Sequence, residues 1–248
     1  MIRPDKHFTQ EEARLLDLCL VCHAEHGGGN NSTFTCRSVS STGTDTYSAI
    51  AAAVGSLKGP KHGGANRQVL AQFSLIKQTV RDWKDDDAVA DCVGRILRRE
   101  LGDGSGLIYG MGHAVYTLSD PRTVILRQSA RTLAAQRGML DELELMEAVE
   151  RVTPRVFAEV TGHEKVMCAN VDMYSGLIYQ MLDIPPDLFT PLFAVARITG
   201  WCAHRMEEVL TGGRLYRPAY KSLTRHREYI PMAARTYRKN PLSTEKRD

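Results

Sequence analysis

Apolar residues recur every three to four positions over most of this chain, the spacing of one face of an α-helix. Ala13, Leu16, Leu20 and Ala24 keep it through the run EEARLLDLCLVCHAEH. Thr9, with Glu12 three residues on, is a helix-start pair in which each side chain takes the other's backbone N–H. Two more helical runs follow, DTYSAIAAAVGSL over 45–57 and NRQVLAQFSLIKQTV over 66–80. Asp85-Asp86-Asp87 opens another, acidic in its first turn, which reaches about Arg99 before the glycines of 102–106 break it. Asp120-Pro121 opens the next, with Val124, Leu126, Ala130, Leu133 and Ala134 inside and Gly138 at its end. A run over about 140–160 carries Leu143, Leu145, Met146, Val149 and Val152. YSGLIYQMLD stops before Pro185-Pro186, and a last strong helix runs from about 188 to 210 and ends at Gly212-Gly213.

Between these runs the pattern fails in informative places. Residues 32–45 are rich in Ser and Thr and keep neither period, which predicts a loop. Leu107 to His113 is too short and too Gly-rich for a helix, and Lys165 to Asn170 reads as a loop leading to Asp172. Only short strand candidates appear, near 107–117. The predicted class is all-α, with no dinucleotide-binding fold and no P-loop.

Composition narrows the classes. Of 248 residues, 43% are hydrophobic and 25% charged, the balance of an ordinary soluble globular protein long enough for a sizeable core. A net charge of +3 is too small to argue for nucleic acid. Its basic excess gathers in Arg225, Arg227, Arg235, Arg238 and Lys239, a solvated tail. No apolar run has membrane-spanning length, and MIRPDKHFTQEE lacks the apolar stretch of a signal peptide, so a cytoplasmic protein is expected. The six cysteines are scattered among apolar helical positions and read as small buried hydrophobes. Cys19-Leu20-Val21-Cys22-His23 fits the spacing of c-type haem attachment. Its helical context and the lack of an export signal argue against that, and no carboxylate or thiol cluster completes a metal site around His23 and His26.

Three segments carry the candidate chemistry. The first is Gly59-Pro60-Lys61-His62-Gly63-Gly64-Ala65-Asn66, which puts His62 at a helix start, where unpaired N–H groups and the macrodipole favour a neutral imidazole. The glycines after it remove bulk where a ligand would approach the backbone. The second is Gly110-Met111-Gly112-His113-Ala114-Val115-Tyr116 with Asp120-Pro121-Arg122, and the third is Asn170-Val171-Asp172-Met173-Tyr174-Ser175-Gly176. Arg197 sits inside the apolar run Leu192 to Ile198, where a charge needs a buried partner, and a ligand carboxylate is a good candidate.

The three segments, in this order, resemble the signature stretches of citrate synthases, and the similarity runs from about His23 to about Lys221. The resemblance implies a citrate-synthase-like multi-helical fold, with residues 63–177 as a small CoA-binding domain and 1–62 plus 178–248 as part of a larger one. It implies condensation of acetyl-CoA with oxaloacetate and water to citrate and CoA, with 2-methylcitrate formation from propionyl-CoA as a close variant. Asp172 would be the base that takes the methyl proton, His62 the donor to the enolate oxygen, and His113 the group that polarises the oxaloacetate carbonyl. His26, Arg122, Arg197 and Arg217 would bind oxaloacetate, whose two carboxylates suit planar guanidinium groups. Gly110, Met111, Gly112 and Asn170 would lie near CoA. No tightly bound cofactor is implied, since acetyl-CoA is a substrate. Family members carry several helices before the position of Thr9. A fragment, a separate polypeptide supplying those helices, and a cut-down protein that keeps the fold without activity are the three readings. The resemblance also implies a homodimer in which Arg217 reaches across into the partner's site.

Overall fold

The computed structural model describes residues 5–113, 116, 118–164, 167–219, 221, 223 and 228–235. Residues up to Leu215 form one compact unit, and those from Tyr216 onward form a second. Nine α-helices are described, all in the first unit. They are α1 (Gln10–Ala24), α2 (Asn31–Ser40), α3 (Thr46–Leu57), α4 (Ala65–Thr79), α5 (Asp86–Leu97), α6 (Pro121–Gln136), α7 (Leu140–Thr161), α8 (Asp172–Met181) and α9 (Phe189–Thr211). In the second unit a single 3-10 turn, Met232–Ala234, is described. The class is all-α, as expected.

Local chemistry sets the boundaries. Thr9 Oγ1 accepts the Glu12 N–H at 3.1 Å while Glu12 Oε2 accepts the Thr9 N–H at 2.8 Å, so the start of α1 has both reciprocal bonds. Asp85 caps α5, and Asp120 caps α6 with Pro121 in its first turn. Gly212, at φ +59°, ends α9 in the left-handed conformation that glycine reaches without a Cβ penalty.

The expectations for 32–45 and 107–117 need correction. Asn31–Ser40 is a helix, not a loop, with Ser32, Thr33, Cys36 and Ser40 buried. Small polar residues at four-residue spacing make its inner face, so no apolar stripe announces it. Among the described residues there is no strand near 107–117, only one isolated bridge between Met111 and Ala169. Ala114, Val115, Lys165 and Val166 lie outside the described residues, as do Arg225, Arg227, Arg238 and Lys239 of the basic tail.

Two cores result. The larger gathers α1 and α4 to α8 around Leu15, Val69, Phe73, Ile96, Leu126, Leu143, Val149, Tyr174 and Ile178. The smaller joins α2, α3 and α9 through Cys36, Ala49, Ala53, Leu57, Phe193 and Trp201. Five cysteines are buried and Cys202 is half-buried, all as free thiols. Cys19 and Cys22 face the larger core, where burial raises both thiol pKa values, so the haem-like spacing is an inner helical face.

Candidate active site

His62 sits in the turn between α3 and α4, three residues before α4 begins and not in its first turn. The turn is tight. A Cβ on Gly63 would stand 2.6 Å from the Leu57 carbonyl oxygen and 3.1 Å from Thr190 Cγ2. The glycine is therefore required by chain packing, whatever a ligand asks of it. His62 has its pKa lowered to about 4, chiefly by burial and then by the charge of Arg197. Both effects favour the neutral imidazole, and burial, not the helix end the sequence suggested, is the first cause. Its Nε2 lies 3.0 Å from Ser32 Oγ.

Asp172 is the first residue of α8. Part of the residue keeps contact with solvent, yet Oδ1 is buried with no hydrogen-bond partner. Burial raises its pKa to about 6, against the opposing charges of Arg122 and Arg197. Arg197, buried on α9, donates from Nε to the His23 carbonyl at 2.6 Å. That carbonyl belongs to the last turn of α1, where unpaired oxygens and the negative end of the dipole suit a cation. Arg197 Nη1 is left buried and unpartnered, and burial lowers the guanidinium pKa to about 10. A buried carboxylate oxygen and a buried guanidinium nitrogen without partners mark a place built for a polar guest.

His26 and His113 face each other edge to face, with ring centroids 5.0 Å apart. Burial is the first cause of the lowered pKa of each, and it takes His26 to about 4. The Tyr116 N–H donates to His113 Nδ1 at 2.9 Å, and Arg122 Nη2 lies 3.4 Å from His113 Nε2. Arg122 is held in a fork by Asp120, with Nε to Oδ1 at 3.0 Å and Nη2 to Oδ2 at 2.7 Å. Asp120 is itself buried and also caps α6, so cap and arginine anchor are one side chain.

The four remaining loop residues form a knot beside Asp172. Asn170 N–H donates to Gly110 O at 2.8 Å, Gly112 N–H to Cys168 O at 2.8 Å, and Asn170 Nδ2 to Gly112 O at 3.0 Å. Gly110, at φ +86°, lets the loop close on α8, because a Cβ there would stand 2.7 Å from Met173 Sδ. Met111, partly buried, packs on the larger core. Asn170 Oδ1 also accepts the Asp172 N–H at 3.1 Å. The knot orients the first turn of α8, and through it the carboxylate.

Structure thus gathers His26, His62, His113, Arg122, Asp172 and Arg197 in the first unit. Arg217 belongs to the second unit and is exposed there. Sequence reasoning missed Ser32, Phe193 and Trp201, and it read Asp120 as a helix start without its hold on Arg122. Phe193 stands beside three site groups, with ring centroids 4.6 Å from His23 and 6.0 Å from His62, and the Arg197 guanidinium 4.9 Å over its face. Phe193, Arg197 and Trp201 follow one another at four-residue spacing on α9 and so share one helical face. Among the described residues no group of three or more His, Cys, Asp or Glu is arranged to hold a metal ion. None of the described helices is long and apolar enough to cross a membrane.

The family model for the C-terminal domain of citrate synthase matches residues 1–219. The citrate synthase of Synechocystis is 42% identical over 90% of this chain and 52% of its own length. A 2-methylcitrate synthase of Corynebacterium glutamicum is 37% identical over 92% of this chain and 54% of its own length. Among solved structures, Thermoplasma acidophilum citrate synthase, a ternary complex with carboxymethyl coenzyme A and oxaloacetate, superposes with a TM-score of 0.74. It is 30% identical, and the match covers 93% of this chain and 57% of that one. The citryl-CoA lyase of Hydrogenobacter thermophilus superposes at 0.65 with 25% identity, over 97% of this chain and 84% of that one. The chain spans about half the length of the curated relatives it matches.

Proposed function

The chain belongs to the citrate synthase family, and from that premise we propose that it carries the chemistry of citrate formation from acetyl-CoA, oxaloacetate and water. The observation that supports this best is the buried, unpartnered Asp172 Oδ1 on a carboxyl whose pKa stands near 6. A thioester methyl is a weak acid, and its removal needs a desolvated base close to neutrality in pKa. Asp172 takes the methyl proton, and neutral His62 donates to the thioester oxygen as it gains charge. The new carbanion attacks the ketone carbon of oxaloacetate, whose oxygen receives a proton from His113. Arg122 and Arg197 take the carboxylates of oxaloacetate, with His26 beside them. Water then cleaves the citryl thioester and releases CoA.

On this reading residues 63–177 form the CoA-binding domain, with Gly110, Met111, Gly112 and Asn170 at the cofactor edge, and 1–62 with 178–248 belong to the larger domain. Arg217 completes the site of a partner subunit in a homodimer. The test is citrate and free thiol formed from acetyl-CoA and oxaloacetate, by the purified chain alone and with the coding region immediately upstream expressed beside it. No product under both conditions sinks the proposal. Propionyl-CoA in place of acetyl-CoA decides between citrate and 2-methylcitrate formation.

A second reading has one observation in its favour. The citryl-CoA lyase is matched over most of its own length, unlike the citrate synthases. In that reaction the same groups run carbon–carbon cleavage: His113 takes the hydroxyl proton of citryl-CoA, the bond to the acetyl unit breaks, and Asp172 returns a proton to the methyl carbon. Cleavage of citryl-CoA to acetyl-CoA and oxaloacetate without citrate release separates it from the first reading.

A further inference from the structure

Helix α4 turns Val69, Phe73 and Ile76 into the larger core, and beside them it buries the amide of Gln72. A buried amide costs stability unless both its donor and its acceptor are met. Both are met by one stretch of backbone outside the helix. Gln72 Nε2 donates to the Leu107 carbonyl at 2.9 Å, and Gln72 Oε1 accepts the Tyr109 N–H at 2.9 Å. A backbone carbonyl only accepts and a backbone N–H only donates, so the pair fixes which end of the amide is which. The side chain joins residues 107 and 109 as a residue of a neighbouring strand would, and Ile108 between them turns into the larger core.

The clamped stretch leads into the loop that contains Gly110, Met111 and Gly112. Ile108 O accepts the Met111 N–H at 3.1 Å, Gly110 O accepts the Asn170 N–H at 2.8 Å, and Asn170 Oδ1 accepts the Asp172 N–H at 3.1 Å. Gly112 has ties of its own, to the Cys168 carbonyl and to Asn170 Nδ2. The hold of Gln72 therefore falls first on residues 107–111. Tyr109 Oη also donates to Asp103 Oδ2 at 2.6 Å, an exposed bond that restrains the ring and not the backbone. Helix α4 opens three residues after His62, so one rigid element carries the His62 turn at its start and this clamp two turns further on.

We propose that Gln72 is a positioning residue for CoA, which holds the backbone of 107–111 in the shape that the coenzyme meets. This rests on the proposed place of Gly110, Met111 and Gly112 at the CoA edge, but its test does not need turnover. Without the two amide bonds the stretch must be ordered when CoA binds, and that ordering lowers affinity.

Chain labelled with nitrogen-15 tyrosine reports the Tyr109 amide, which is assigned by its loss in Tyr109→Phe. In the parent this amide should exchange slowly with solvent. Gln72→Met keeps the length of the side chain, suits its apolar neighbours and removes both bonds. Exchange at Tyr109 should then speed up by about 100-fold, as for a bond opened locally. Titration with CoA should find affinity about ten-fold weaker, while oxaloacetate affinity stays within about two-fold because Gly112 keeps its ties. Gln72→Glu still accepts the Tyr109 N–H but has no donor for the Leu107 carbonyl. Its Tyr109 amide should stay protected, with CoA affinity between those of the parent and Gln72→Met. In an active assembly Gln72→Met should raise KM for acetyl-CoA and leave kcat unchanged. Slow exchange at Tyr109 in Gln72→Met, CoA affinity in either variant equal to the parent's, or an equal loss of CoA and oxaloacetate affinity overturns the proposal. If the variants behave as stated but no preparation makes citrate or cleaves citryl-CoA, the clamp stands and the proposed reaction falls. A parent that binds no CoA, alone or with the upstream region expressed beside it, overturns both.

Discussion

The two cores of the first unit are built from different materials and serve the site differently. The larger is made of Leu, Ile, Val and Met at helical spacing, and it holds Asp172 through α8. The smaller is made of Cys36, Ala49 and Ala53 closed by Leu57 and two aromatics, Phe193 and Trp201, and both aromatics touch site groups directly. In the larger core packing and chemistry are separable, because the carboxylate proposed as the base stands at a helix end and not within the stack. In the smaller core they are the same residues.

Asp172 gives the largest expected effect. Asp172→Asn should lower turnover by about 10²–10⁴-fold in an active assembly, the range for loss of a positioned general base. The fold should survive, since the amide occupies the same space. Steady-state kinetics and a thermal melt check both halves, and turnover within ten-fold of the parent would show another group to be the base.

Leu143→Ala comes next. Leu143 is fully buried on α7, which carries none of the site residues. Truncation should cost about 2–5 kcal/mol of stability, as removal of a well-packed leucine leaves a cavity. Activity measured well below the melting temperature should hardly change. If activity falls in proportion to stability, the separation of packing from chemistry in the larger core is wrong.

Legibility does not follow the same division: helical spacing marked α1 and α3 to α9 within a few residues, in both cores, and the caps Thr9, Asp85 and Asp120 fixed three starts. Helix α2 was not legible, because Ser32, Cys36 and Ser40 form a buried face that a hydrophobicity pattern reads as polar. With α2 taken for a loop, nothing in the sequence could place Ser32 under His62 or Trp201 against Ser32. The charge on Arg197 inside an apolar run was a real signal, and it led to a buried guanidinium on the α1 C-terminus. His62 was expected neutral for a helix-end reason, whereas tertiary burial, which no local stretch encodes, is the main cause.

Acid should pull the two regions in opposite directions. The Asp172 carboxyl has a raised pKa, from 3.8 to about 6, so it costs stability that appears as pH rises through that window. His62, beside the smaller core, has a lowered pKa, from 6.5 to about 4, so its contribution is complete above 6.5 and is lost as pH falls to 4. Removing the carboxylate should therefore stabilise the chain near neutrality and not in acid. Asp172→Asn should exceed the parent by about 2–3 kcal/mol at pH 7.5, from roughly two pKa units at 1.36 kcal/mol each, lessened where solvent reaches the residue. Denaturant midpoints at pH 7.5 and 4 check this, and an equal difference at both would refute the charge-burial account.

Phe193→Leu is the smallest expected stability change and the sharpest test of the smaller core. The ring lies under the Arg197 guanidinium and edge to face with His23 and His62. Leucine keeps most of the apolar burial but has no quadrupole to hold the cation and no flat face for the imidazoles. The stability cost should be about 1–2 kcal/mol, of which the cation–π and aromatic contacts account for the larger part. Arg197 keeps its bond to the His23 carbonyl, so the guanidinium stays near its place with wider freedom. A carboxylate guest must then be ordered by the arginine and must also order the arginine. That penalty falls on oxaloacetate affinity, which isothermal titration should find about ten-fold weaker, with CoA affinity unchanged. Leu143→Ala, which destabilises more, should leave oxaloacetate affinity alone when measured on folded protein. If Phe193→Leu binds oxaloacetate as the parent does, the ring is filler like Leu143, and the smaller core is a second packing unit without a share in the site.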